Sequence, residues 1–333
     1  MSLLLDFEKI VAHALEENHP KARSQATVEK PVFQLNEFPF PIALDAYNNA
    51  YSPANPEGNY LHAFRFRDLV NTIPDLTKFF TTSANTVEQS YQNLIQGASI
   101  VKDSKFVSQA FYEAQQKFSV SKMSGLSQSP ASWQLANAIP YNWTDLLTTP
   151  KSLPKIHLDL QKLPTLFDDQ YQTLLPSKNA IKLQSRTPGQ QDGKHISLST
   201  DSSLETISFR YLMVQVERSW LNTELFTMND WYLSGQPIGY YSSGSTTNND
   251  GVFPLMITGV LLGTQIEITG SLKANDTNFI HSQLQANKEV SVAQFPVENL
   301  MINGDKQQLN ANAVYLMGYV SQLIPLAPRM QSS

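Results

Sequence analysis

The residue types best suited to chemistry gather in Glu217-Arg-Ser-Trp-Leu-Asn-Thr-Glu-Leu-Phe-Thr-Met-Asn-Asp-Trp231, just past an apolar run that begins at Thr206. Arg218, Trp220, Asp230 and Trp231 in this stretch admit two uses. The indoles can stack on a flat ligand while Arg218 clamps an anion. Alternatively, Arg218 pairs with Asp230 and the tryptophans plug the end of a β-layered core. The plug is expected, because strand ends must be closed in any layered β fold. Trp133 and Trp143, in Trp-Gln-Leu-Ala-Asn-Ala-Ile-Pro-Tyr-Asn-Trp, pose a similar choice between stacking on a sugar or base and sealing a joint between lobes. The joint is the expected use. These six residues are the candidate binding set.

Chemistry beyond binding finds little support. His13, His19, His62, His157, His195 and His281 never stand three to five residues apart, so no helical metal pair exists. His157 and Asp159 share one face of a strand pattern, which a solvated face explains. Ser242-Ser-Gly-Ser-Thr-Thr-Asn-Asn-Asp-Gly251 lacks the strand-to-helix flanks of a nucleophile elbow and reads as a polar loop. No Gly-Lys-Ser/Thr occurs, and Gly235, Gly239 and Gly244 miss the dinucleotide spacing. Asp168 and Asp169 are not marked out as glycosidase acids. No catalytic residue, metal ligand or cofactor is therefore assigned.

Composition narrows the partners. The 333 residues include 16% charged side chains, fewer than the roughly 25% of ordinary soluble domains. Neutral amides and hydroxyls fill the surface instead, which lowers the repulsion between like copies. A net charge of −5 and the lack of a Lys/Arg cluster argue against nucleic acid. The absence of cysteine removes disulfides, thiolate metal sites and thiol nucleophiles. The start, Met1-Ser-Leu-Leu-Leu-Asp-Phe-Glu-Lys, lacks the basic head and long apolar centre of a signal peptide, and no apolar run is long enough for a membrane-spanning helix. The expected location is cytoplasmic as synthesised, with signal-independent export left open.

The elements that must position these residues follow from periodicity. A helix with one apolar stripe spans 3–15, and residues 20–56, studded with prolines, are expected to be mostly extended or irregular. Phe33, Phe38, Phe40, Tyr47 and Tyr51 in that segment anchor it to a core or line a groove, and anchoring is expected. Helices are predicted over 59–73, 86–102 and 104–118, the last with Phe106, Val107, Ala110, Phe111, Ala114 and Phe118 inward and Asp103 or Ser104 as cap. Residues 163–175 suggest a short helix.

After Pro154 the period shortens to two. A strand is predicted at 156–161, a hairpin at 180–184 and 195–199 across the turn 186–193, and long strands at 206–217, 252–263 and 264–270. In the first of the long strands Ile207, Phe209, Tyr211 and Met213 share one face; Leu212, Val214 and Val216 make the other apolar too, so both faces are covered or a bulge intervenes. Further strands are expected at 278–284, 290–297 and 313–324, the last also helix-compatible, and 324–333 reads as a proline-stiffened tail.

The fold class is thus α+β: a mainly helical N-terminal lobe, 1–150, followed by a C-terminal antiparallel β-sandwich-like domain, 151–333. The expected function is that of a non-enzymatic structural or interaction protein that associates with itself or a larger protein assembly. A leaderless membrane-acting toxin or effector is the alternative, followed by a carbohydrate-binding protein using the tryptophans. The expected partner is a protein or a second copy, with a membrane involved only in the toxin reading.

Overall fold

The computed structural model describes residues 7–18, 31–124, 132–162, 172–173, 181–190 and 193–331. In chain order α1 (Phe7–Asn18) precedes β1 (Val32–Pro41), and α2 (Tyr60–Val70), α3 (Val87–Gly97) and α4 (Lys105–Val120) follow. Next come β2 (Asn137–Ile139), α5 (Trp143–Thr148), β3 (Lys155–Asp159), the hairpin β4 (Lys182–Arg186) and β5 (Gly193–Ser197), and the long strands β6 (Ser203–Glu217) and β7 (Leu255–Ser271). The chain finishes with α6 (Ala274–Gln285), β8 (Glu289–Val292), β9 (Phe295–Val297), β10 (Asn299–Asn303), β11 (Lys306–Ala311) and β12 (Tyr315–Leu323). The fold is mixed α+β with mostly antiparallel sheets.

A nine-stranded sheet is organised on one ribbon. β6 and β7 pair antiparallel from Ser203 opposite Ser271 to Gln215 opposite Gly259. The other side of β7 is shared: β12 pairs with Leu255–Gly263 and β11 with Ile266–Gly270. Between the two, Gln265 takes φ 49°, and its Oε1 accepts from Arg210 Nε at 3.1 Å. That left-handed residue is the kink at which one neighbour gives way to the next. β3 and β2 likewise divide the far side of β6, β1 pairs with β12, and β10 forms an edge beyond β11.

The apolar pattern of β6 explains its place. Ile207, Phe209 and Tyr211 enter one core with Phe7 of α1, Ile280 of α6 and Phe295, while Val214 enters a second with Phe66 of α2 and Trp143 of α5. Both faces are covered and the register also slips between Ser208 and Arg210, so the two alternatives that the sequence offers occur together. Each such side chain contributes about 1.5–3 kcal/mol by leaving water. Close packing leaves no room at Gly263, where a Cβ would meet Met317 Cγ at 2.7 Å.

A smaller sheet has the order β5-β4-β8-β9 and begins with the predicted hairpin, in which Gln184 pairs with His195. The third core surrounds α3 and α4, where Tyr91, Phe111 and Phe118 meet Trp220 and Trp231. α3 is capped by Thr86, whose Oγ1 accepts from Gln89 N at 3.2 Å, and α2 by Asn59, which accepts from Leu61 N and His62 N. No described helix is long and apolar enough to cross a membrane.

One expectation holds, since the proline-rich stretch 20–56 is extended over residues 32–41, which form β1, and the register against β12 jumps from Leu35 opposite Gly318 to Phe40 opposite Leu316. Pro39 is tolerated because it lies in this bulge, outside the ladder. Several others need correcting. Residues 278–284 lie in α6 rather than in a strand, because Phe279 and Ile280 are buried side by side and the first-turn carboxylate of Asp276 accepts from Ser199 and Ser202. Phe106 is 74% exposed instead of inward, since the buried stripe of α4 is Val107, Phe111, Ala114 and Phe118. The C-terminal residues are stitched to their own chain: Tyr241 N donates to Ala327 O at 2.8 Å and Ala327 N to Ser242 O at 3.0 Å. Of the short helix suggested at 163–175, only Gln172–Thr173 is described, as a strand parallel to β1; Asp168 and Asp169 lie outside the described residues.

Candidate functional site

Arg218 follows β6 directly and reaches back across the sheet. Its Nη1 donates to Ile257 O at 2.7 Å and its Nη2 to Val70 O at 2.6 Å. Val70 is the last residue of α2, so the guanidinium supplies a donor and a positive charge where helix carbonyls are left open. Burial pushes the Arg218 guanidinium down to about 9, which leaves it charged at neutral pH. It does not pair with Asp230. That carboxylate is exposed and accepts from Ser104 Oγ at 3.1 Å, so Ser104 is turned towards Asp230 and does not cap α4 through its side chain.

The four indoles are all interior. Trp220 Nε1 donates to Leu135 O at 2.6 Å, with the rings of Tyr91 and Phe118 each 5.6 Å away. Trp231 Nε1 donates to Leu225 O at 3.1 Å and its ring meets Phe111 at 5.5 Å. Trp143 lies near Tyr47 and Phe66, and Trp133 sits edge-on to Phe64 at 5.3 Å. None offers an open face to a ligand. Of the six candidate residues, Arg218 lines a cleft.

That cleft, ≈ 550 Å³, lies on the sheet surface between β6, β7 and β12. Met213, Val216, Met256 and Val320 give it an apolar lining, with Glu217 and Thr258 as polar members. Glu217 Oε2 accepts from Asn137 Nδ2 at 3.4 Å. The cleft brings no histidine beside that carboxylate, and Arg218 is committed to backbone.

A second cleft, ≈ 580 Å³, opens between the β1 bulge and the β4–β5 hairpin. The bulge is braced from both sides: Asn36 Nδ2 donates to Leu316 O at 2.9 Å, and Phe80 N donates to Leu35 O at 2.9 Å. Gln34 Nε2 holds the adjoining loop through Asp75 O at 3.0 Å and Thr77 O at 2.7 Å. Phe38, Phe40 and Phe80 contribute rings, the last stacked on Tyr319 at 3.8 Å. Across from them stand Gln184, Arg186 and His195. Arg186 lies over the Phe38 ring at 4.2 Å, and its Nε donates to Glu289 Oε2 at 2.6 Å. Glu37 Oε1 accepts from Gln184 Nε2 at 3.4 Å and lies 3.9 Å from Lys182 Nζ.

Sequence reasoning singled out Phe38 and Phe40 as groove or anchor residues but not Glu37, Arg186 or His195. Their only local signals are the proline pair around Phe40 and the turn 186–193. Elsewhere, Asp159 is held below the usual carboxylate range by its hydrogen bond from Lys162, as befits the solvated face expected of the His157 strand. Among the described residues no three His, Asp or Glu side chains gather as a metal site would need. Comparison with protein-family models, with curated proteins and with solved structures finds no match to this chain.

Proposed function

We propose that the protein works by association rather than by catalysis, as a structural or interaction protein that joins a second copy of itself or a larger protein assembly. The observation that carries this reading is the free edge of the main sheet. Among the described residues β10, Asn299-Leu-Met-Ile-Asn303, pairs only with β11; it bears no charge, with Met301 44% and Ile302 62% exposed. Proteins that must remain apart blunt such edges with lysine, proline or a covering element. Two β10 strands laid antiparallel about a two-fold axis at Met301 set Asn299 against Asn303 and place no like charges opposite one another. The scarcity of charge over the whole chain supports the same reading. So does a layering we read as sandwich-like, with the small sheet facing the long ribbon, because it leaves the main sheet's edge at the surface.

Native mass measured by light scattering over a concentration series tests the proposal. A mass above that of one chain, reduced to that of one chain by Met301→Lys or Ile302→Lys, is the expected result. A strict monomer that also retains no protein in pull-downs would sink the reading.

A further inference from the structure

The cleft between the β1 bulge and the β4–β5 hairpin is a binding site by its construction, and the geometry points to a neutral saccharide as its ligand. Its size falls within the few hundred cubic ångströms usual for small-molecule sites. It is also preformed. The bulge that presents Glu37 and Phe38 is fixed by backbone and side-chain bonds, and Arg186 is held in place by both a ring and a carboxylate. A ligand entering such a site has little ordering to impose on it.

Charge decides the ligand class. Two of the ionised groups that face the cleft are matched, Arg186 by Glu289 and Glu37 by Lys182, and Lys194, also in the lining, has no acidic partner among the described residues. Lys194 turns its ammonium over the ring of Phe279, 5.6 Å away. An anionic ligand would meet Glu37 and a cationic one Arg186, so neither sign is favoured. What the cleft offers instead is donors beside acceptors. The terminal NH₂ groups of Arg186, Oε2 of Glu37 and the exposed ring of His195 bond to none of the described residues. A hydroxyl both donates and accepts, so vicinal hydroxyls on a pyranose are suited to such a mixed set. The C–H faces of the same sugar have Phe40 and Phe80 to lie against. This site is separate from β10, and the inference stands whether or not the protein associates.

Saturation-transfer NMR and calorimetry on the full chain supply the test. The probes are glucose, galactose, mannose, N-acetylglucosamine, cellobiose, maltose and lactose, with glucuronate and glucosamine as charged counterparts. At least one neutral sugar is expected to bind with a Kd of about 1 mM or tighter, and more tightly than either charged one. Glu37→Gln and His195→Ala, both at exposed positions, are expected to weaken it about tenfold while circular dichroism and thermal midpoint remain unchanged. Failure of every neutral sugar to bind by about 10 mM overturns the inference. So does stronger binding of glucuronate or glucosamine, or binding unaffected by both substitutions.

Discussion

Arg218 and Arg186 each stand beside a cleft, and the two are engaged in opposite ways. Arg218 directs its terminal nitrogens inward, to the carbonyls of Val70 and Ile257, and so ties α2 to β7. Arg186 is held through its Nε by Glu289 and over Phe38, which leaves its terminal nitrogens without a described partner. An arginine beside a hollow is therefore not by itself a recognition group. Which of its donors are already engaged by backbone decides whether it serves the fold or a ligand.

The sharpest way to break this contrast is Arg218→Met. Removing the guanidinium leaves two carbonyls without their charged donor, and urea unfolding should show a loss of about 3 kcal/mol. A loss below about 0.5 kcal/mol would mean that Arg218 is not the tie described above.

Alkaline titration of a single buried tyrosine gives a somewhat smaller effect. Burial pushes Tyr91 up to about 12 and raises Tyr241, Tyr315 and Tyr319 as well. The unfolded chain releases these phenol protons near 10 and the folded chain only higher, so the unfolded state binds fewer protons in between. Their contribution is complete below about pH 10 and is lost as pH rises towards 12, about 2 kcal/mol for Tyr91 alone. Arg218, pushed down instead of up, opposes that loss, so Arg218→Met should show it more steeply. Denaturant midpoints measured from pH 8 to 11.5 would reveal either slope.

The smallest effect belongs to the other cleft. Glu37→Gln and His195→Ala should change unfolding free energy by less than about 0.5 kcal/mol, because both side chains are exposed and the links from Glu37 to Gln184 and Lys182 are long, at 3.4 and 3.9 Å. A loss of 2 kcal/mol from either would move that cleft into the same structural class as Arg218.

The long strands were the legible part of this fold. The alternation of β6, the apolar run of β7 and the hairpin around 186–193 all announce themselves locally, because a strand covered on known faces must repeat every two residues. Within residues 20–56 extended backbone was legible but its place in the sheet was not: Pro39 and Pro41 signal a break, and only the bulge opposite β12 shows how a strand can keep them. α6 was misread because its short apolar pair, Phe279 and Ile280, suits either period, and Asp276 acts through residues far away in the chain. The second cleft could not be read at all as a unit. Glu37 and Gln184 are 147 residues apart and lie in different sheets, and only the packing of the two sheets brings them within reach.

The kink at Gln265 has one last implication, for how the molecule loosens. Because β7 changes partners there, β12 and β11 are held by different halves of one strand, and neither depends on the other for its ladder. Either flank can fray while β6 still grips β7 from the opposite side, so breathing at one end need not travel to the other.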